Sequence, residues 1–332
     1  MAPLVIGLVY DVFGSYPPRP GAPADAEAEY EPEATVEALE AAIRRLGNEP
    51  VRLGNAHELL RAAGSGSLPP LDAVLAISEG YGTRNREAWA PVLLDMLELP
   101  AIGSDALTRS LSLDKAWSKD VVGAAGVPVL PQCSIAHPRD LEKARLPGPF
   151  PLFVKPRWEG TAKGIDAGSR VEDGPALAAR VAQLVARYEQ PALVEPFLPG
   201  AEYTVTVVGH DPPRALPVLQ RALERHSGVG VHAVASAAAA LDAHTPGDLG
   251  PALEAELARH AVAAFEALAC RDFARADFKL DGAGRPYFLE INPLPTFAPD
   301  GSFGILAELE GRPLEALLAD VLGAALGRLR LA

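Results

Sequence analysis

The sequence predicts a mixed protein, α/β at its start and α+β further on, and three observations carry that prediction. The chain has 332 residues, more than one compact domain usually holds, so two or three packed units are expected. Its N-terminal part alternates strand-like and helix-like runs, the mark of a parallel sheet covered by helices. Its C-terminal part holds two alternating runs joined by a glycine-rich turn, the mark of a hairpin.

Residues 3–10 (PLVIGLVY) are an apolar run of strand length. Residues 33–46 (EATVEALEAAIRRL) place apolar side chains at helical spacing before Gly47, and residues 71–77 (LDAVLAI) read as a further buried strand. In such a unit the loop after each strand faces the functional edge. The Pro-, Gly- and Ala-rich segment 16–28 is a long surface loop, either a tolerated insertion or a substrate-side flap. A second unit begins near Ser104. Residues 113–125 (LDKAWSKDVVGAA) form a helix stopped by Gly126 and Pro128, and residues 151–156 (PLFVKP) form an apolar strand that ends on a lysine. After Pro191 come ALVEPFLPG, an alternating strand over 202–208, a long loop, a helix over 249–268, the hairpin over 274–292 and a last helix near 314–329. No period repeats.

Hydrophobic residues make up 48% and charged residues 22% of the chain, a globular composition. Lys and Arg number 30 against 43 Asp and Glu, net -13, so the averaged field repels nucleic-acid backbones and anionic membranes. An anionic ligand must then be held by individually placed lysines and arginines. Cys133 and Cys270 are too few for a disulfide framework or thiolate cluster, and a reducing cytoplasm is the expected home. No cationic leader precedes the first apolar run, and no stretch nears the ~18 apolar residues of a membrane span.

The segments ARADFKL, DGAG and RPYFLEIN make the hairpin, with Asp281, Gly282 and Gly284 suited to its turn. A register pairing Leu280 with Arg285 puts Arg275, Asp277, Lys279, Phe288, Glu290 and Asn292 on one face. Ala276, Phe278, Leu280, Tyr287, Leu289 and Ile291 fall on the other. The charged face is either simply solvated or an oxygen-only site for Mg²⁺ built from Asp277, Glu290 and Asn292. Glu290 and Asn292 close a strongly apolar stretch, where an unpaired carboxylate is expensive, and this favours the metal.

Taken in series, AIGSDALTRSLSLDK with AWSK, PLFVKPRWEGTAKG, LVEPFLPGAEYTV, RADFKLDGAGRPYFLEIN and NPLP resemble the ATP-grasp ligases, within them the D-alanine–D-alanine ligases. The resemblance implies an ATP-grasp fold of three domains, here 1–104, 105–194 and 195–332, with ATP clasped between the central and C-terminal ones. It implies phosphate contacts at Lys115, Lys155 and Gly160, and a catalytic place for Thr161 in the flap EGTAKG. It further implies adenine-edge recognition at Glu195, Phe197 and Leu198, and a ribose contact at Glu202. Phe153 and Leu289 would pack on the adenine faces. Asp277, Glu290 and Asn292 match magnesium (or manganese) ligands, and Arg275 matches the arginine that steadies the reacting carboxylate. The implied reaction activates one carboxylate as an acyl phosphate and lets an amine displace the phosphate. Small amino-acid substrates, and a homodimer as is common among such proteins, go with it.

The sequence departs from that family where substrates bind. The family's glutamate for a substrate ammonium has only Glu31 or Glu29 near its place, and either reads equally well as an acidic residue favouring a helix N-terminus. A family histidine is replaced within SEGYGTRNREAW, so that Glu79, Arg84 and Arg86 face the expected substrate position. The two arginines there either hold an anion or cap nearby carbonyls. The stretch 220–246 lacks the family's lysine and tyrosine. Arg221, Arg225, His226 and His232 are the available substitutes, with Gly228 and Gly230 as hinges. Thr296 stands where a glycine is usual. Three functions follow: a related ligase with an altered pocket, D-alanyl-D-alanine synthesis itself, or a nucleotide-binding regulator without turnover.

Overall fold

The computed structural model describes residues 2–17, 20–221, 223–224, 241–242 and 249–331. The first unit runs β1 (Val5–Tyr10), α1 (Glu33–Arg45), β2 (Glu49–Gly54), α2 (Ala56–Ser65), β3 (Ala73–Ile77), α3 (Trp89–Met96) and β4 (Ala101–Ile102). Its sheet is parallel throughout, in the order β2-β1-β3-β4. The run β2–α2 escaped the sequence reading because β2 carries only partly buried and exposed residues. Asn55 starts α2 with a capping box closed by Glu58. Because β2 and β3 flank β1, the chain reverses direction of travel between β1 and β3, and a crevice opens beyond their C-terminal ends.

Then come α4 (Ala106–Leu113), which the sequence reading did not expect, and α5 (Lys115–Ala124), the helix expected over 113–125; they meet at Asp114, whose extended backbone ends one and whose carboxylate caps the other. A second, antiparallel sheet of order β5-β8-β6-β7 is formed by β5 (Cys133–Ile135), β6 (Leu152–Pro156), β7 (Arg170–Val171) and β8 (Ala192–Pro196). The helix α6 (Gly174–Tyr188) covers it with Leu177, Val181 and Leu184.

The third sheet contains β9 (Glu202–Val208), β10 (Arg214–Ala215), β11 (Leu219–Arg221), β14 (Phe273–Leu280) and β15 (Pro286–Asn292). Between β11 and β14 lie the short pair β12 (Leu223–Glu224) and β13 (Leu241–Asp242) and the helix α7 (Pro251–Ala267). Leu257, Ala261, Ala264 and Phe265 of α7 pack on Val205, Ala276, Phe278 and Phe288. The chain ends in α8 (Ser302–Leu309) and α9 (Leu314–Arg328), and both return to the first sheet. Leu317, Leu318, Val321 and Leu322 share one core with Ile6, Leu8, Leu39 and Ile43. The last helices thus complete the first sheet's core, a long-range closure that no local periodicity announces.

The hairpin register differs from the expected one. Arg275 pairs with Asn292 and Asp277 with Glu290, but a bulge then makes Phe278 face Phe288 and Leu280 face Pro286. The extra residue is Leu289, so the alternation slips by one. Phe288 therefore points into the core against Phe278, with ring centroids 5.9 Å apart, while Leu289 turns to the charged side. The expected faces of those two residues are exchanged, and Tyr287 sits opposite Lys279.

Candidate active site

The second and third sheets face each other across a cleft of about 110 Å³. Strand β6 contributes Phe153 and Lys155, two apart and so on one face, and β8 contributes Glu195, the register partner of Phe153. The segment after β8 adds Phe197 and Leu198. From the third sheet come Glu202, Lys279, Asp277, Leu289 and Glu290. All of these except Lys279 were expected at the nucleotide or metal from the sequence.

The charges in the cleft are paired. Lys155 lies 3.1 Å from Glu195, which also takes a hydrogen bond from Lys119. All three are buried. Burial pushes the Glu195 carboxyl up, yet the two lysines overcome it and hold it below its ordinary value. Burial holds Lys119 down at about 8 against the pull of Glu195. Lys119 escaped the sequence reading although it follows in AWSK; as one more lysine on a helix it gave no local signal. The Glu195 carboxylate is thus committed to the two lysines.

Lys115 lies 3.0 Å from Glu290 and also donates to the Glu159 carbonyl. Burial would raise the Glu290 carboxyl, but Lys115 and Lys155 hold it at about 2. Asp277 accepts from the Thr204 hydroxyl on β9 and from Arg275 at 3.1 Å. Glu202 sits 3.5 Å from Lys279 and 3.7 Å from Arg221, and Arg221 also lies 3.7 Å from Asp277. Of the cations considered for the 220–246 stretch, Arg221 reaches the cleft; Arg225, His226 and His232, with Gly228 and Gly230, lie outside the described residues.

A smaller cavity of about 30 Å³ adjoins, lined by Glu29, Glu79, Glu87, Ser112, Lys115, Gly160, Thr161, Glu290 and Asn292 among others. Lys115 and Glu290 line both spaces. Asp277, Glu290 and Asn292 thus follow one another from cleft to cavity, and the Asn292 amide oxygen accepts from the Leu294 backbone at 2.8 Å. Two carboxylates and an amide oxygen on paired strands are the hard donors that Mg²⁺ takes alongside water and phosphate oxygens. Among the described residues no three His, Cys, Asp or Glu side chains gather into a metal cage. A cation here would rest on this mixed set.

The loop 159–164 is held in an unusual shape. Thr161 and Ala162 both have left-handed backbone, at φ 45° and 56°, which costs L-residues on the order of 1–2 kcal/mol each. Successive amides in such a turn form an anion-accepting concavity. In this structure Glu29 approaches it: its carboxylate accepts from the Gly160 amide at 2.6 Å, from Lys163 at 2.8 Å and from Arg86 at 2.9 Å. A Cβ at position 160 would sit 2.7 Å from that carboxylate, so a larger residue there would have to push the Glu29 side chain aside. Asp25 adds a bond to the Gly164 amide at 2.9 Å. Asp25 and Glu29 thus clasp the end of the segment that follows β1 to this loop.

The substrate candidates separate. Arg84 and Arg86 form no anion clamp: Arg84 is exposed and lies over Trp117 at 4.7 Å, while Arg86 is buried on Glu29 and donates to the Trp158 carbonyl. Glu31 and Thr296 are joined instead, the threonine hydroxyl donating at 2.9 Å, and Thr35 donates to the same carboxylate. Neither Glu31 nor Thr296 lines the two cavities. Glu79 does, positioned by Asp11, whose carboxylate accepts from the Glu79 and Gly80 amides at 2.8 and 2.7 Å. Asp11 follows β1 and Glu79 follows β3, so their meeting marks the reversal point of the first sheet. Sequence reading missed Asp11, a single aspartate after a strand.

Two antiparallel sheets closing on a lysine- and carboxylate-lined cleft, with loops of the first unit lining the smaller cavity beside it, define an ATP-grasp ligase, an ATP-dependent enzyme that forms C–N bonds. The chain belongs to the D-alanine–D-alanine ligase family: the family model for the D-ala D-ala ligase C-terminus matches residues 124–323. It is 31% identical over 254 residues to an uncharacterized protein, y4sG, of Sinorhizobium fredii, covering 76% of this chain and 74% of that one. It is 29% identical over 246 residues to a D-alanine–D-alanine ligase of Pelotomaculum thermopropionicum, covering 71% of this chain and 75% of that one. The fold matches the VanG D-Ala:D-Ser ligase of Enterococcus faecalis with a TM-score of 0.72 at 17% identity, over 97% of this chain and 99% of that one. No helix among the described residues is long and apolar enough to cross a membrane.

Proposed function

We propose that the protein joins the carboxylate of one small amino acid to the amine of another through an acyl phosphate, in a pocket altered from one built for two D-alanines. The observation that carries this reading is the Lys115–Glu290 pair, which lines both the larger cleft and the smaller polar cavity. A phosphoryl group moving from one space to a carboxylate in the other passes beside them.

In this reading Lys115 and Lys155 hold phosphates, Gly160 offers its amide, and Glu202 takes the ribose hydroxyls. Phe153 and Leu289 flank the base, whose edge meets the backbone from Glu195 through Phe197 to Leu198. Asp277, Glu290 and Asn292 would hold Mg²⁺ or Mn²⁺, which supplies neutralisation of phosphate charge when bound. Arg275 steadies the reacting carboxylate, Thr161 borders the reacting groups, and Arg221 stands in for the family lysine that the 220–246 stretch lacks. The work divides over 1–104, 105–194 and 195–332, in the cytoplasm. Support for an altered pocket comes from Glu31 and Thr296, which bond each other, and from Glu79, which enters the cavity instead.

The test is phosphate release from ATP and Mg²⁺ across D- and L-amino acids and small carboxylic acids, with mass spectrometry of products. Amide formation from a pair other than two D-alanines is the expected result. Turnover of D-alanine alone would return the protein to D-alanyl-D-alanine synthesis. ATP binding without release on any pair would replace the ligase reading with that of a nucleotide-binding regulator.

A further inference from the structure

Lys279 lines the larger cleft and has no place in the reading above. It is buried, and a lysine is seldom buried unless its ammonium has a charge to meet. Its register explains where that charge lies. On β9, Glu202 has Lys279 of β14 opposite it on one side and Arg221 of β11 opposite it on the other. Residues directly opposite in an antiparallel pair share a face, and all three line the cleft.

Each cation approaches a different oxygen of that carboxylate. The Lys279 Nζ lies 3.5 Å from Oε2 and the Arg221 Nη1 lies 3.7 Å from Oε1. The two are not equivalent. The same Arg221 nitrogen is also 3.7 Å from Asp277, and its side chain is 27% exposed against 9% for Lys279. In the reading above Arg221 also turns to phosphate, so Lys279 is the cation that stays with Glu202.

A carboxylate that hydrogen-bonds two sugar hydroxyls normally makes a site strict, because a nucleotide lacking them leaves the carboxylate desolvated and unpaired. Glu202 escapes that penalty, since its charge is met from within the sheet before any nucleotide arrives. At 3.5 and 3.7 Å the cations still leave lone pairs for hydroxyls to use when present. We infer that Lys279 makes the ribose end of the cleft indifferent to the sugar hydroxyls, so that deoxy- and dideoxyadenosine nucleotides are accepted alongside ribonucleotides. This rests on the assignment of Glu202 to the ribose under the ligase reading, and makes Lys279 a specificity-determining residue for the nucleotide.

The experiment is calorimetry of the full chain with Mg²⁺ and either ADP or 2′,3′-dideoxy-ADP, which needs no turnover. In the wild type the Kd values should agree within about threefold, and in Lys279→Met the dideoxy nucleotide should bind at least about tenfold more weakly than ADP. Lys279→Arg restores the charge and should restore the wild-type ratio, which a merely space-filling role would not require. Lys279→Met/Glu202→Ala should also return to it, because no carboxylate is left to go unpaired. A wild type that rejects the dideoxy nucleotide tenfold, a Lys279→Met variant with the wild-type ratio, or discrimination that survives in the double variant overturns the inference. Those results with ADP still bound leave the nucleotide site standing, whereas a chain that binds no ADP loses both. Failure to find an amide product while the ratios behave as expected removes the ligase reading alone.

Discussion

Replacing Lys119 by methionine isolates what a buried charge contributes to nucleotide binding. The wild-type cleft wall carries Lys119 and Lys155 around one carboxylate, Glu195. In Lys119→Met the side chain keeps most of its length and its apolar packing, but Glu195 loses one of two cations in a buried site. Breaking a buried ion pair from one side costs about 3 kcal/mol, at the low end of the range because Lys155 remains. Glu195 then draws wholly on Lys155, which loses about 1.5 kcal/mol of charged hydrogen bonding to a phosphate, roughly a tenfold rise in the KM for ATP. The pH dependence sharpens the test. Lys119 sits at about 8, below an unfolded lysine, so the native protein releases its proton first as pH rises. The KM for ATP should accordingly climb above pH 8 in the wild type and stay flat in Lys119→Met. Urea unfolding and initial rates at varied ATP from pH 7 to pH 9 measure both effects. A variant with the wild-type urea midpoint and wild-type KM across that range would refute the coupling of Lys119 to Lys155 through Glu195.

Asp277→Asn and Glu290→Gln should remain folded by circular dichroism yet lose turnover by at least about a hundredfold, since each removes a hard oxygen donor from the proposed metal site. Gly160→Ala should weaken the flap, because its Cβ would meet the Glu29 carboxylate at 2.7 Å; the expected sign is faster proteolysis within 16–28 and a lower melting temperature. Glu87→Gln should flatten the acid side of the stability profile. The native Glu87 carboxyl lies at about 7 against an ordinary 4.5, so the native state keeps a proton that the unfolded chain has released, and stability falls as pH rises through that window. About 3 kcal/mol is the upper size of that loss, read from urea midpoints at pH 5 and pH 8.

Local chemistry alone determined a good part of this molecule. The apolar period of β1, α1, β6, β9, α7 and α9 is written in the residues themselves, and each lies within a few residues of its expected bounds. That Lys115, Lys155, Glu202, Asp277 and Glu290 line one cleft was legible because isolated cations and apolar-flanked carboxylates stand out in an acidic chain, and because their motifs resemble a known family. Tertiary structure decided the rest. A bulge at Leu289, invisible to strict alternation, exchanged the faces of Phe288 and Leu289. The pairing of Glu31 with Thr296 spans 265 residues, and that of Lys119 with Glu195 spans 76. Such contacts depend on which sheets pack together, and no window of sequence contains both partners. The same holds for Glu79, Glu87 and Ser112: each reads as an ordinary polar residue where it stands in the chain. Only the meeting of the loop after β3, the segment leading into α3 and the end of α4 buries them around one space.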